Sequence, residues 1–270
     1  MECSCNASLV VGEPPEALLP VLKDAGFTHV SLGEFGRRGD TYVRREPFDR
    51  LRGALREAGL AVDWVHAPFV VPALDAEDLE TRMVSLAALL LCLERAADLE
   101  SRAMVIHPYF ERTPGVGPSA EAGARVVDAV GDLAARGRAL GVTVAIENMP
   151  YAGHHELVET MLHALPDLGF CLDAGHAHIV GNRERWRAFA DRTVCTHFHD
   201  NGGATDDHRF PGEGTVDWAA TGGMLRAGGY AGPWGLEVLL YPGDPHRARP
   251  CADLAAQAYA CARRIADGAA

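Results

Sequence analysis

The sequence predicts one α/β domain, residues 1–270, folded as a (β/α)8 TIM barrel, on three observations. Short apolar runs recur eight times, segments of helical periodicity separate them, and an acid or a histidine follows nearly every run. A doubly wound open sheet fits less well. It usually needs fewer strands and a glycine-rich phosphate loop after the first, and Gly12-Glu13-Pro14-Pro15 is no such loop.

In chain order, Ser8 to Val11 is the expected first strand and Pro15 to Ala25 the first helix, with Gly26 to stop it. His29 to Leu32 gives the second strand and Phe48 to Ala58 the next helix, ended by Gly59. Ala61 to Val65 is followed by a helix over Ala76 to Leu99, for which Asp75 is the expected N-cap. Ala103 to Ile106 precedes a helix over Ala120 to Leu140, between Ser119 as cap and Gly141 as stop. Thr143 to Ile146 pairs with the helix His154 to Ala164, and Gly169 to Leu172 with Glu184 to Asp191. Val194 to Thr196 precedes the helix Trp218 to Ala227, capped by Asp217 and stopped by Gly228. Trp234 to Leu236 and the helix Ala248 to Ala266 complete the series.

The residues just past these runs carry the chemistry. Glu34, His66, His107, Glu147, Asp173, His197 and Glu237 follow the second to eighth runs in turn. With 37 acidic residues and 12 histidines among 270, chance puts one at roughly every fifth or sixth position, not at seven consecutive strand ends. In a barrel the C-terminal ends of the strands meet at one mouth, where catalytic groups are found. Carboxylates and imidazoles gathered there would repel and desolvate one another unless cations neutralise them, which points to a metal site. The stretch His197 to Gly214, HFHDNGGATDDHRFPGEG, adds to it, with three histidines and four carboxylates in 18 residues. Such mixed nitrogen and oxygen donors suit zinc, manganese, iron or cobalt better than calcium.

Composition narrows the function. The formal charge of −12 and the single lysine, Lys23, disfavour non-specific binding to nucleic acid, which depends on neutralising phosphates. A locally basic segment, Gly36-Arg37-Arg38-Gly39 through Arg44-Arg45, follows the second strand. It could hold a substrate phosphate, touch DNA or be simply solvated. Seven cysteines without paired spacing fit a reducing compartment, and the Met1-Glu2-Cys3 start is not that of a signal peptide. The longest apolar stretch, Leu86 to Leu93, is too short to span a bilayer. The expectation is a cytoplasmic protein without membrane partners.

The runs VHAPF, VIHPY, AIENMP, CLDAGHAHI, HFHDN, DDHRFPGEGTVDW and GLEVL resemble, in order and spacing, the xylose isomerase-like TIM-barrel superfamily of sugar isomerases and epimerases, to which endonuclease IV is related. The resemblance implies one divalent metal, manganese, cobalt or zinc, held by Glu147, Asp173, His197 and Glu237. It also supplies counterparts for the further ligands of a three-metal cluster in His66, His107, His176, Asp206 and His208, so the number of ions stays open. His176, His66, His107, Arg209 and Glu34 are the expected substrate contacts. Glu147 and Glu237, on opposite sides of the mouth, exchange a proton as base and acid through a cis-enediolate. The implied substrate is a sugar, a sugar phosphate or a related polyol carbonyl, the assembly a homo-oligomer, and the alternative activity an endonuclease IV-like cleavage of abasic-site DNA. The wording HFHDN and DDHRFPGEG looks like the isomerase/epimerase branch.

Overall fold

The computed structural model describes residues 1–33, 44–68, 73–107 and 116–268. Glu34, Arg37 and Arg38 lie outside them. The strands are β1 (Cys3–Asn6), β2 (His29–Leu32), β3 (Ala61–His66), β4 (Ala103–Ile106), β5 (Thr143–Glu147), β6 (Gly169–Asp173), β7 (Thr193–His197) and β8 (Trp234–Leu236). They form one parallel sheet in the order β7-β6-β5-β4-β3-β2-β1-β8. The ends of the sheet meet through Phe198, whose N–H donates to the Gly235 carbonyl (3.0 Å) and whose carbonyl accepts from Glu237 N–H (3.0 Å). This seam is tight: a Cβ on Gly235 would lie 2.7 Å from the Thr196 carbonyl oxygen, so only glycine fits.

The helices α1 (Pro15–Ala25), α2 (Arg45–Ala58), α3 (Leu79–Asp98), α4 (Ala120–Leu140), α5 (His155–Ala164), α6 (Ala174–Val180), α7 (Arg183–Trp186), α8 (Trp218–Ala227) and α9 (Cys251–Asp267) accompany the strands. None is long and apolar enough to cross a membrane. Side chains alternate along a strand, so the sheet serves two cores. Met104, Val144, Ile146, Phe170 and Leu172 pack in the large layer with the helices, whereas Trp64, Ala103, Val105, Ala145, Cys171 and Cys195 form a separate cluster. That second cluster fills the barrel, and it sets the site: His66, His107, Glu147, Asp173 and His197 each stand two residues beyond one of its members, hence on the inward face.

Four elements depart from expectation. The first strand is Cys3–Asn6, not Ser8 to Val11, of which only Val10 bridges the neighbouring Leu240. Cys3 and Cys5 join the outer core while Ser4 and Asn6 are buried polar residues, so no apolar run marks this strand. Helix α3 begins at Leu79 because Asp78, not Asp75, accepts from the Thr81 N–H (2.8 Å). Gly228 ends α8 in a right-handed conformation, and the left-handed turn falls on Gly229. The expected helix Glu184 to Asp191 is divided between α7 and a 3-10 turn, Arg187–Arg192.

Candidate metal centre

Four side chains from four strand ends converge at the mouth. One ligand atom from each of Glu147, Asp173, His197 and Glu237 lies within 4.8 Å of the others, and all four residues are buried. His197 Nδ1 is 3.2 Å from Glu147 Oε1 and 3.1 Å from Glu237 Oε2, yet makes a hydrogen bond with neither. A buried nitrogen facing two carboxylates without a hydrogen bond is the arrangement that a divalent cation resolves, so the donor set fits a metal. The two glutamates, from strands separated by two others, both reach the same imidazole.

Two further groups adjoin this one. His66 Nε2 and His107 Nε2 each lie 3.3 Å from Glu147 Oε2, the oxygen not turned toward His197. His176 Nε2 (3.2 Å) and His208 Nε2 (3.3 Å) both face Asp206 Oδ2. A backbone carbonyl can only accept, so it fixes the tautomer of any neutral ring beside it. His66 Nδ1 donates to the Ala67 carbonyl (2.7 Å), His176 Nδ1 to Asn148 (2.9 Å) and His208 Nδ1 to Glu237 (2.8 Å). Each ring thus presents Nε2 to the carboxylates, the orientation usual for metal-ligating histidines.

The electrostatics agree. Burial pushes the Glu147 carboxyl up, but the imidazoles of His197, His107 and His176 outweigh it and hold the group well below the usual range. Glu237 settles at about 2 by the same opposition, burial against His197 and His208. Burial lowers the His197 imidazole, while Glu237 and Glu147 raise it further, so it ends well above its ordinary value. His208 is carried to about 9, Asp206 and Glu237 outweighing its burial. His107 moves down, chiefly through desolvation. Carboxylates held down and imidazoles raised within one buried group mark a place where a cation would compete with protons.

Local structure supports the placement. Asp173 ends β6 and caps α6, its Oδ1 accepting the His176 N–H (2.6 Å), which aims His176 back at the mouth. Asn148 clamps the Asp173 backbone from the side, donating to its carbonyl and accepting its N–H, both at 2.8 Å. The segment from Asn201 to Trp218 is knotted on Asp200. Its carboxylate accepts from the N–H groups of Asn201 (2.9 Å), Gly212 (2.7 Å) and Val216 (3.1 Å) and from Trp218 Nε1 (2.9 Å). This knot swings Asp206 and His208 over the strand ends, with His208 in the left-handed backbone region at φ 50.

Of the expected site residues, His66, His107, Glu147, Asp173, His176, His197, Asp206, His208 and Glu237 are brought together. Arg209 is not among them: its Nη2 pairs with Asp207 (2.9 Å) and its side chain is half exposed. Glu34 lies outside the described residues. Arg45, the described end of the basic loop, is solvated and near Asp49 (3.6 Å). Sequence reasoning passed over His199, which is fully buried beside Asp173. Its place two residues after His197 was the available signal.

Comparison with known proteins completes the picture. The chain is 27% identical over 186 residues to MJ1311, an uncharacterized protein of Methanocaldococcus jannaschii, covering 64% of this chain and 63% of that one. It is 36% identical over 75 residues to y4fM, an uncharacterized protein of Sinorhizobium fredii, covering 27% of this chain and 24% of the other. The chain thus spans under two thirds of the length of the curated relatives it matches. Similar solved structures include the IolI protein with a bound zinc atom (TM-score 0.80, 16% identity, 99% of this chain and 98% of that). D-psicose 3-epimerase crystallised with D-fructose gives 0.78 at 16% identity, over 99% and 100% of the two chains. The 3-keto-D-glucoside 4-epimerase YcjR of E. coli gives 0.72 at 19%, over 98% of each. At these identities the structures speak for the fold. The model of the xylose isomerase-like TIM barrel matches residues 19–260, and the chain belongs to that family.

Proposed function

We propose that this protein is a divalent-metal-dependent isomerase or epimerase acting on a sugar, sugar phosphate or related polyol carbonyl. The observation that carries this reading is the four-residue group Glu147, Asp173, His197 and Glu237, with two carboxylates held ionised on either side of one imidazole. Manganese, cobalt or zinc bound there would supply Lewis acidity toward a carbonyl and its neighbouring hydroxyl. One glutamate takes the proton from the carbon beside the carbonyl, and the C–H electron pair moves into the carbonyl to give an enediolate. The other glutamate returns a proton to the adjacent carbon or to the opposite face. His176, Asp206 and His208 close the polar side of the mouth, where substrate hydroxyls are held. Neighbours named as ketose and keto-glycoside epimerases, whose reactions centre on a carbon next to a ketone, support the reading.

A second reading, metal-assisted phosphodiester cleavage, is favoured by the two outlying groups, His66 with His107 and His176 with His208, whose Nε2 atoms are oriented as ligands would be. Several ions side by side suit the attacking and leaving oxygens of a phosphate. One experiment separates the two. Metal-loaded protein is incubated with a panel of ketoses and their phosphates in deuterated water, and in parallel with an abasic-site DNA duplex. The expected result is deuterium uptake at the carbon next to the carbonyl, with formation of the epimer or isomer, and intact DNA. Incision of the duplex without exchange on any ketose would replace the first reading by the second.

A further inference from the structure

Within the cluster His199 is held differently from the three histidines that carry a backbone anchor. His66, His176 and His208 anchor Nδ1 on a backbone carbonyl and turn Nε2 toward a carboxylate. His199 has no such anchor. Its Nε2 reaches Asp173 Oδ2 at 3.1 Å, with Asp206 Oδ1 next at 3.5 Å, and its buried Nδ1 has no hydrogen-bond partner. A carboxylate beside a neutral ring demands the proton on the facing nitrogen, so Nε2 donates and Nδ1 carries a bare lone pair. In this tautomer Nε2 is a donor to Asp173, itself a ligand candidate, although the ring also lies within ligand reach of Asp173 with His176 and of His208 with Glu237.

We infer that His199 is a positioning residue that fixes the Asp173 carboxylate for metal binding, in a recess that Gly175 leaves open for its ring. The recess is specific. A Cβ at position 175 would sit 2.1 Å from His199 Cε1 and 2.5 Å from Nδ1, so any larger residue there expels the imidazole. On its other face the ring stacks on His208, with centroids 4.0 Å apart and planes 20° from parallel. Asn201 holds Gly175 in place, its Nδ2 donating to the Gly175 carbonyl (3.0 Å). Asp173 is then fully determined: Oδ1 is taken by the His176 N–H and Oδ2 by His199, leaving Oδ2 turned toward His197 Nδ1 at 3.8 Å. A carboxylate held in this way loses no rotamer freedom when a cation arrives, and outer partners of this kind carry about 10–100-fold in metal affinity.

The inference rests on the metal-binding part of the proposed function, and its test is chosen to fail separately. Asn and Gln at position 199 are both neutral amides, but only Gln extends its NH2 to the place of Nε2. Metal-free H199N, H199Q and wild type are titrated with Co2+ and Zn2+, following the visible absorption of the cobalt protein and competition with a chromophoric chelator. Their metal-free melting temperatures are recorded alongside. The expected result is an unchanged number of ions per chain, affinity about 10–100-fold weaker in H199N, and affinity within a few-fold of wild type in H199Q. Wild-type affinity in H199N, equal weakening in both variants, or loss of a whole equivalent of metal would overturn it, the last by making His199 a ligand. Wild-type protein that takes up no metal would instead overturn the proposed function.

Discussion

Glu147 on β5 and Glu237 at the end of β8 meet on a single atom, His197 Nδ1, at 3.2 and 3.1 Å, although two strands separate their own. That convergence ties metal binding to proton transfer, because both proton-exchanging groups of the proposed reaction are also ligand candidates. Replacing either by Gln keeps the shape and removes the base. Turnover is expected to fall about 10²–10⁴-fold with the far-UV spectrum unchanged. A Gln variant within a few-fold of wild type in kcat places the base elsewhere.

Nuclearity is decided by the outlying histidines. Removing His107 and His208 together, each to Ala, takes one donor from each flanking group and leaves the four-residue group intact. Elemental analysis of protein purified without chelator is expected to show the wild-type number of ions per chain, with KM for the substrate raised. Fewer ions per chain would make the two histidines ligands of a multinuclear cluster and favour the second reading.

Asp63 gives a stability prediction at a residue outside the candidate ligand set. It is fully buried on β3, and one oxygen pairs with Arg102 Nη1 (2.7 Å) while Oδ2 lacks a partner. Burial outweighs the guanidinium and pushes its carboxyl up from 3.8 to about 7. A raised carboxyl means that the folded state holds the proton more tightly than the unfolded chain. The contribution is fully present below about pH 4 and is lost as pH climbs to about 7. Asp63→Asn stays neutral, so from pH 4 to 7.5 its unfolding free energy should gain on the wild type by up to about 4 kcal/mol. Urea denaturation across that range measures it, and a constant difference would mean that Asp63 is ionised throughout.

How much could be read in advance follows from where each signal lies. His107, Glu147 and Asp173 were legible because each closes an apolar run, so polarity changes at one residue where the strand ends. β1 was not, since its inward residues Ser4 and Asn6 are polar and its outward ones are small cysteines. Helix α6 was hidden because its cap is itself a site residue: Asp173 ends the strand and begins the helix with no loop between. The position of Asp206 and His208 over the mouth depends on the hydrogen bonds gathered by Asp200, which join residues up to 18 apart in sequence and leave no periodic trace. Arg209 stands apart from the buried group because its half-exposed side chain pairs with the adjacent Asp207.

The knot on Asp200 has a bearing on how such a site can change over time. One carboxylate latches the start, the middle and the end of the segment, and His208 adds ring and backbone bonds to Glu237 and Leu239 at the end of β8. The exposed tip at Gly202, Ala204 and Thr205 lies between the latched points and bears on none of them. Lengthening or rewriting that tip would alter what approaches the mouth while the latch, the strand-borne group beneath it and the fold stay as they are.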